Sequence, residues 1–159
     1  MEVVAENYTV AVMGAGTMGR GIAQVAASAG HPVMLYDVAE KHTQDAIEFI
    51  GQRLEDSFQK GKITENSKVQ VLKNIKPVHA LDELFKAKLI VEAVIEDLEI
   101  KQELFCRLES VLEAESILST NTSSLDLNKI VTNLKRPERF VGMHFFNPVP
   151  VMALVEIIH

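Results

Sequence analysis

The chain has 159 residues and a formal net charge of −6 at neutral pH, with 47% hydrophobic and 24% charged residues. That is the composition of a globular domain with enough chain for one substantial core, and it excludes disordered and fibrous classes. The acidic balance argues against nucleic acid or an anionic membrane surface as the main partner, although a local basic patch stays compatible with it.

The amino-terminal "MEVVAENYTV" has neither the basic start nor the sustained apolar run of a signal peptide, and it lacks the basic, acid-poor character of a transit peptide. "YTVAVMG" is a short apolar run ending in Gly14 and reads as a fully buried strand. "MGRGIAQVAASAG" is helical and closes on Gly30 as a C-cap. The segment from Thr9 to Tyr36 is rich in apolar residues, but Arg20, Gln24 and several glycines rule out a membrane span. "HPVMLYD" is a second buried strand that ends in Asp37, and Ala39 to Lys60 is helical, with Ile47, Ile50 and Leu54 on one stripe. A turn at Gly61 leads to Thr64, an N-cap candidate for a short helix.

"KPVHALDELFKA" reads as a short strand and one helical turn, and "KLIVEAV" as another buried strand. Leu98 to Leu112 is an amphipathic helix with Ile100, Leu104, Leu108 and Val111 on its apolar stripe. Cys106 lies in this helix as the single cysteine, so no intramolecular disulfide can form; a buried thiol and cytoplasmic or mitochondrial-matrix residence fit. "SILSTN" is a strand, "SSLDLNKIVTNL" a serine-capped helix, "RFVGMHFF" a strand, and "VMALVEII" a strand after the Pro148/Pro150 turn. Strands alternating with helices indicate an α/β fold, a Rossmann-type doubly wound and mostly parallel sheet over a single domain, residues 1–159. The last two strands are joined by a turn without a helix, so that pair is expected to be antiparallel.

Within "GAGTMG", Gly14, Gly16 and Gly19 fit G-x-G-x-x-G, with Thr17 and Met18 between them. The first glycine permits a tight strand-to-helix turn, the second lets backbone N–H groups approach a pyrophosphate, and the third lets helix and sheet pack closely. The helix N-terminus adds positive partial charge. The motif follows a strand, opens a helix, and leads to a strand ending in an acidic residue, so the whole unit reads as a dinucleotide site. A carboxylate at Asp37 can accept the ribose hydroxyls of NAD and would repel the 2′-phosphate of NADP. It could also be a cap for the following helix, and Lys41 nearby could soften the discrimination.

"STNTSSL", Ser119 to Leu125, follows a strand and so faces the ligand crevice, although such clusters commonly serve as caps and turns. His144 and Glu156 lie on either side of the Pro148–Pro150 turn, about equally far from its centre. An antiparallel hairpin would place them opposite each other, where a carboxylate fixes an imidazole tautomer and stabilises the imidazolium. His31, His42 and His79 sit at turns or helix starts and read as exposed, and His159 is terminal. No group of side chains has the spacing of a zinc or iron site, so no metal is expected.

The segments "VAVMGAGTMGRGIAQVAASAGHPVMLYD", "IVEAVIEDLEIKQELFCRLE", "STNTSSL" and "GMHFFNPVPVMALVEII" together resemble the L-3-hydroxyacyl-CoA dehydrogenases over essentially the whole chain. The resemblance implies NAD as cofactor, an acyl-CoA substrate, and oxidation of the C3 hydroxyl to a 3-ketoacyl thioester. It implies that His144 is the catalytic base and Glu156 the carboxylate orienting it. Ser123 would hydrogen-bond the substrate oxygen, and Asn121 would lie beside nicotinamide and substrate. Glu96 and Lys101 would lie near the cofactor ribose and nicotinamide, and Lys60 and Lys62 would meet CoA phosphates unless they are simply a solvated charge run.

Members of the family carry a second, all-helical domain that forms the dimer interface, and nothing in these residues matches it. A piece that binds NAD with little turnover is therefore expected, its full-length parent being a homodimer. Two other readings remain: a related dehydrogenase of a small hydroxy or sugar acid, and a non-catalytic, crystallin-like or NAD-binding module.

Overall fold

The computed structural model describes residues 8–159, and the signal-peptide reading rests largely on residues 1–7, outside the described residues. Seven short strands form one sheet: β1 (Val10–Met13), β2 (Val33–Tyr36), β3 (Ile75–Val78), β4 (Leu89–Glu92), β5 (Ile117–Thr120), β6 (Phe140–Phe145) and β7 (Val155–Ile158). Five helices accompany them: α1 (Thr17–Ser28), α2 (Glu40–Gln59), α3 (Glu65–Asn74), α4 (Leu98–Val111) and α5 (Leu127–Ile130).

The spatial order is β3-β2-β1-β4-β5-β6-β7, with every neighbouring pair parallel except β6 and β7. The Rossmann-type, doubly wound expectation and the antiparallel final pair are both met. The order reverses between β1 and β4, which opens a crevice at the carboxyl ends of those strands.

The strands carry continuous apolar runs because helices cover both faces of the central sheet. On one face Val12, Ile22, Leu35, Ile50 and Val91 form a core under α1 and α2. On the other, Met13, Ile90, Phe105, Leu108 and Phe140 form a core under α4. Phe105 meets Phe140 edge-on with ring centroids 4.9 Å apart, a favoured aromatic geometry.

Four local details differ from expectation. Gly30 stands one residue past the cap Ala29, at φ 93°, and with His31 closes a double hydrogen-bonded C-terminal motif onto Ala27 and Ala26. The helix after β5 shrinks to four residues, and its cap is Asp126, which accepts from Asn128 N–H, rather than a serine. The Thr122 and Ser124 hydroxyls ahead of it donate to Glu96 instead. In α4, Ile100 is 44% exposed, while Lys101, Phe105 and Leu108 face inward. The helix is rotated because a buried carboxylate draws Lys101 toward the sheet. β7 begins only at Val155, leaving Val151–Leu154 exposed after the proline turn. Among the described residues no helix is long and apolar enough to cross a membrane.

Candidate cofactor and proton-transfer site

β1 hands the chain to α1 through Gly14, whose φ of 95° is unfavourable for any residue with a side chain. A Cβ there would also lie 2.7 Å from the Ala93 carbonyl oxygen. A Cβ on Gly19 would overlap the Gly14 carbonyl, so this glycine lets α1 rest on the strand. Gly16 behaves differently: a Cβ would meet nothing within 4 Å. Gly16 is also the N-cap of α1 and offers no side-chain cap bond, so the helix's first N–H groups, at Thr17 and Met18, remain for a ligand.

Asp37 follows β2 on the other wall of this turn, with 12% side-chain exposure. Its Oδ2 accepts from Ala15 N–H at 2.8 Å and its Oδ1 from Ala39 N–H at 3.1 Å. Burial pushes the carboxyl toward the neutral form. The two backbone donors, with His42 beside them, outweigh it and hold the pKa below its ordinary value of 3.8. The tie to Ala39, just ahead of α2, makes Asp37 a local brace as well. His42 is exposed, as expected, yet its Nδ1 stands 3.0 Å from Asp37 Oδ1, a contact the sequence pattern did not suggest. Lys41 instead pairs with Asp45 at 3.0 Å on the surface of α2.

A cavity of about 510 Å³ runs along this wall, lined by Gly14, Gly16, Asp37, Val94, Ile95 and Ile100 among others. Uncapped helix N–H groups, an open space at Gly16 and an ionised carboxylate at the β2 end together fit a dinucleotide.

Across the switch point lies a network that the sequence pattern only half disclosed. Lys101, buried, pairs with Glu92 at 2.6 Å and with Glu96 at 3.2 Å. Burial raises the Glu96 pKa, but the Thr122 hydroxyl and the Lys101 ammonium outweigh it and leave the net shift downward. Ser124 also donates to Glu96. Glu92, Thr120 and Thr122 were not singled out from the sequence. The available signal was a charged residue closing the apolar run "LIVE".

Asn121 leaves β5 with its N–H bonded to the Glu92 carbonyl at 2.8 Å, and its Oδ1 accepts from Phe145 N–H at 2.8 Å. It therefore ties the β5 turn to the residue after His144. Ser123 is exposed in the same turn. His144 lies opposite Glu156 in the β6–β7 register, with Nδ1 2.9 Å from Oε2. The Phe146 ring stands 4.6 Å from the imidazole. A carboxylate engaging Nδ1 selects the tautomer whose Nε2 is a proton acceptor.

A second groove of about 550 Å³ lies between α1, α2 and the turn after β6. Lys60 and Lys62 line it, as do Arg20 and Arg53, both unanticipated. Arg20 stacks over Phe49 at 3.7 Å, which fixes its guanidinium at the groove.

The sequence model of the family described as "3-hydroxyacyl-CoA dehydrogenase, NAD binding domain" matches residues 9–159. A 3-hydroxyadipyl-CoA dehydrogenase of Escherichia coli (strain K12) is 47% identical over 150 residues, covering 94% of this chain and 32% of that protein. A 3-hydroxybutyryl-CoA dehydrogenase of Clostridioides difficile is 40% identical over 149 residues, covering 94% of this chain and 53% of that protein. The crystal structure of 3-hydroxybutyryl-CoA dehydrogenase from Escherichia coli K12 substr. MG1655 superposes with a TM-score of 0.94 at 46% identity. That match covers 96% of this chain and 32% of the other. The chain thus spans between a third and a little over half of the length of these relatives.

Proposed function

Because this chain belongs to the 3-hydroxyacyl-CoA dehydrogenase family as an NAD-binding domain, we propose that it is the cofactor half of an enzyme oxidising L-3-hydroxyacyl-CoA to 3-ketoacyl-CoA. The observation that carries this reading is the His144–Glu156 pair, held at 2.9 Å across the β6–β7 hairpin of a domain whose glycine turn and Asp37 fit a dinucleotide. NAD, when bound, supplies the hydride acceptor.

The chain's own residues handle the proton and the positioning. His144 takes the proton of the C3 hydroxyl at Nε2, and Glu156 stabilises the imidazolium through Nδ1. Removing that proton as the C3 hydride departs avoids both a free alkoxide and a carbocation. Ser123, exposed at the rim, orients the substrate oxygen. Asn121, tied to Phe145, keeps the β5 turn in register with the histidine. Gly16, Thr17 and Met18 cradle the pyrophosphate on a turn shaped by Gly14 and Gly19, Asp37 takes one ribose, and Glu96 with Lys101 frames the other.

The basic groove at Lys60, Lys62, Arg20 and Arg53 suits the phosphates of coenzyme A, which favours a thioester over a free hydroxy acid. The same reading covers residues 9–159 as one cofactor domain and pairing of the whole protein as a homodimer through its helical part. Steady-state rates of the full-length protein with acetoacetyl-CoA and NADH, compared with free keto acids, test it. Turnover of the thioester and not the free acids is expected. The reverse order would replace this reading with a small hydroxy-acid dehydrogenase.

A further inference from the structure

A buried carboxylate is costly unless it is fully hydrogen-bonded and paired. Glu92 closes β4 at 0% exposure, and its partner Lys101 is 1% exposed. Glu92 Oε1 accepts from Lys101 Nζ at 2.6 Å and from Val94 N–H at 2.7 Å. Its Oε2 accepts from the Thr120 hydroxyl at 2.6 Å. The carboxylate is satisfied on both oxygens and fully buried at the carboxyl end of β4, just beneath the cavity-lining Ala93 and Val94.

Stability alone explains this poorly, since apolar residues of similar volume often replace a buried ion pair at no loss. The pair has a direction, however. Lys101 also reaches Glu96, which is 40% exposed and follows the cavity-lining Ile95, at 3.2 Å. One buried cation therefore serves two carboxylates, one buried and one partly exposed. The same Thr120 hydroxyl accepts from Thr122 N–H at 3.3 Å, and the Glu92 carbonyl accepts from Asn121 N–H at 2.8 Å. Glu92 thus grips both α4 and the turn that carries Asn121 and Ser123.

We propose that Glu92 is a positioning residue for the far half of the dinucleotide site, acting through Lys101 and Thr120. By sharing the ammonium, it leaves Glu96 as an acceptor for sugar hydroxyls instead of collapsed onto the lysine. This inference rests on the NAD reading above. Asp37, which follows β2, and Glu96, which follows β4, lie on opposite sides of the glycine turn. A ligand spanning the switch point places its adenosine at the first and its second ribose at the second. Loss of the Glu92 charge therefore weakens only the second half.

The test is titration of the full chain and its Glu92→Gln variant with NADH and, separately, with AMP, which stops short of Glu96. Gln keeps the shape and an acceptor but removes the charge. The expected result is NADH affinity lower by roughly tenfold, the scale of one disturbed bond to a charged group, with AMP affinity within about twofold. Thr120→Val, which retains the charge and deletes one bond to it, should move the NADH-to-AMP ratio the same way by less. It decides the matter if Glu92→Gln does not fold. A purely structural role would weaken NADH and AMP together as the melting temperature falls. That result, or an unchanged ratio in the variants, overturns the inference while leaving the NAD reading standing. Failure of the unaltered chain to bind NADH would overturn both.

Discussion

His144 and Glu156 occupy directly opposed positions in the only antiparallel strand pair of the described sheet, with Nδ1 2.9 Å from Oε2. The hairpin, more than either strand, creates the contact, because the residues lie twelve positions apart in sequence. In the full-length protein, His144→Gln should lower turnover by about 10²–10⁴-fold, the usual contribution of a general base, while leaving the NADH dissociation constant unchanged. Glu156→Gln should cost less, because the imidazole remains. Rates paired with cofactor titration check both, and near-normal turnover of His144→Gln would remove it from the chemistry.

The two outer glycines and the middle one should respond in opposite ways. Gly19→Ala forces a methyl into the Gly14 carbonyl, so unfolding should become easier by about 1–3 kcal/mol, with cofactor binding impaired as well. Gly16→Ala meets no protein atom within 4 Å and should melt like the parent. Its methyl projects into space left for phosphate, so NADH affinity alone should fall. Melting curves with and without NADH separate the two cases.

The Asp37 carboxyl titrates lower in the folded chain than its ordinary 3.8, because the Ala15 and Ala39 N–H groups outweigh its burial. A depressed folded value means its stabilising contribution is complete above the ordinary pKa and is lost as pH falls through the folded one. The stability gap between the parent and Asp37→Asn should therefore be constant near neutrality and shrink below about pH 4. Urea denaturation at a series of pH values measures it. At neutral pH the same variant should bind NADPH better relative to NADH, since the repelling charge is gone.

Most of the fold was legible because its signals are local. Buried runs such as "VAVM" and "LIVE", the glycine turn after β1 and the Thr64 cap each specify their element without help from distant residues. The His144–Glu156 contact was legible because an antiparallel turn converts equal spacing into opposition. The rotation of α4 was not, because it depends on Lys101 meeting a carboxylate nine residues away across a helix–strand packing. Arg20 and Arg53 escaped notice for the same reason: only the packing of α1 against α2 brings them to one groove.

That groove gives a further prediction. Lys60 and Lys62 are exposed, so reversing both to Glu should leave folding and NADH binding intact. The KM for an acyl-CoA in the full-length protein should rise several-fold, with less effect at high salt, as screened surface charges require. An unchanged KM would return these lysines to the solvated surface.

NAD is proposed to lie in the crevice beside Asp37. Calorimetric titration of the chain with NADH, and with NADPH in parallel, tests it most directly. Saturable one-to-one NADH binding is expected, with NADPH weaker by about tenfold or more. Absence of NADH binding, or equal affinity for NADPH, would contradict it.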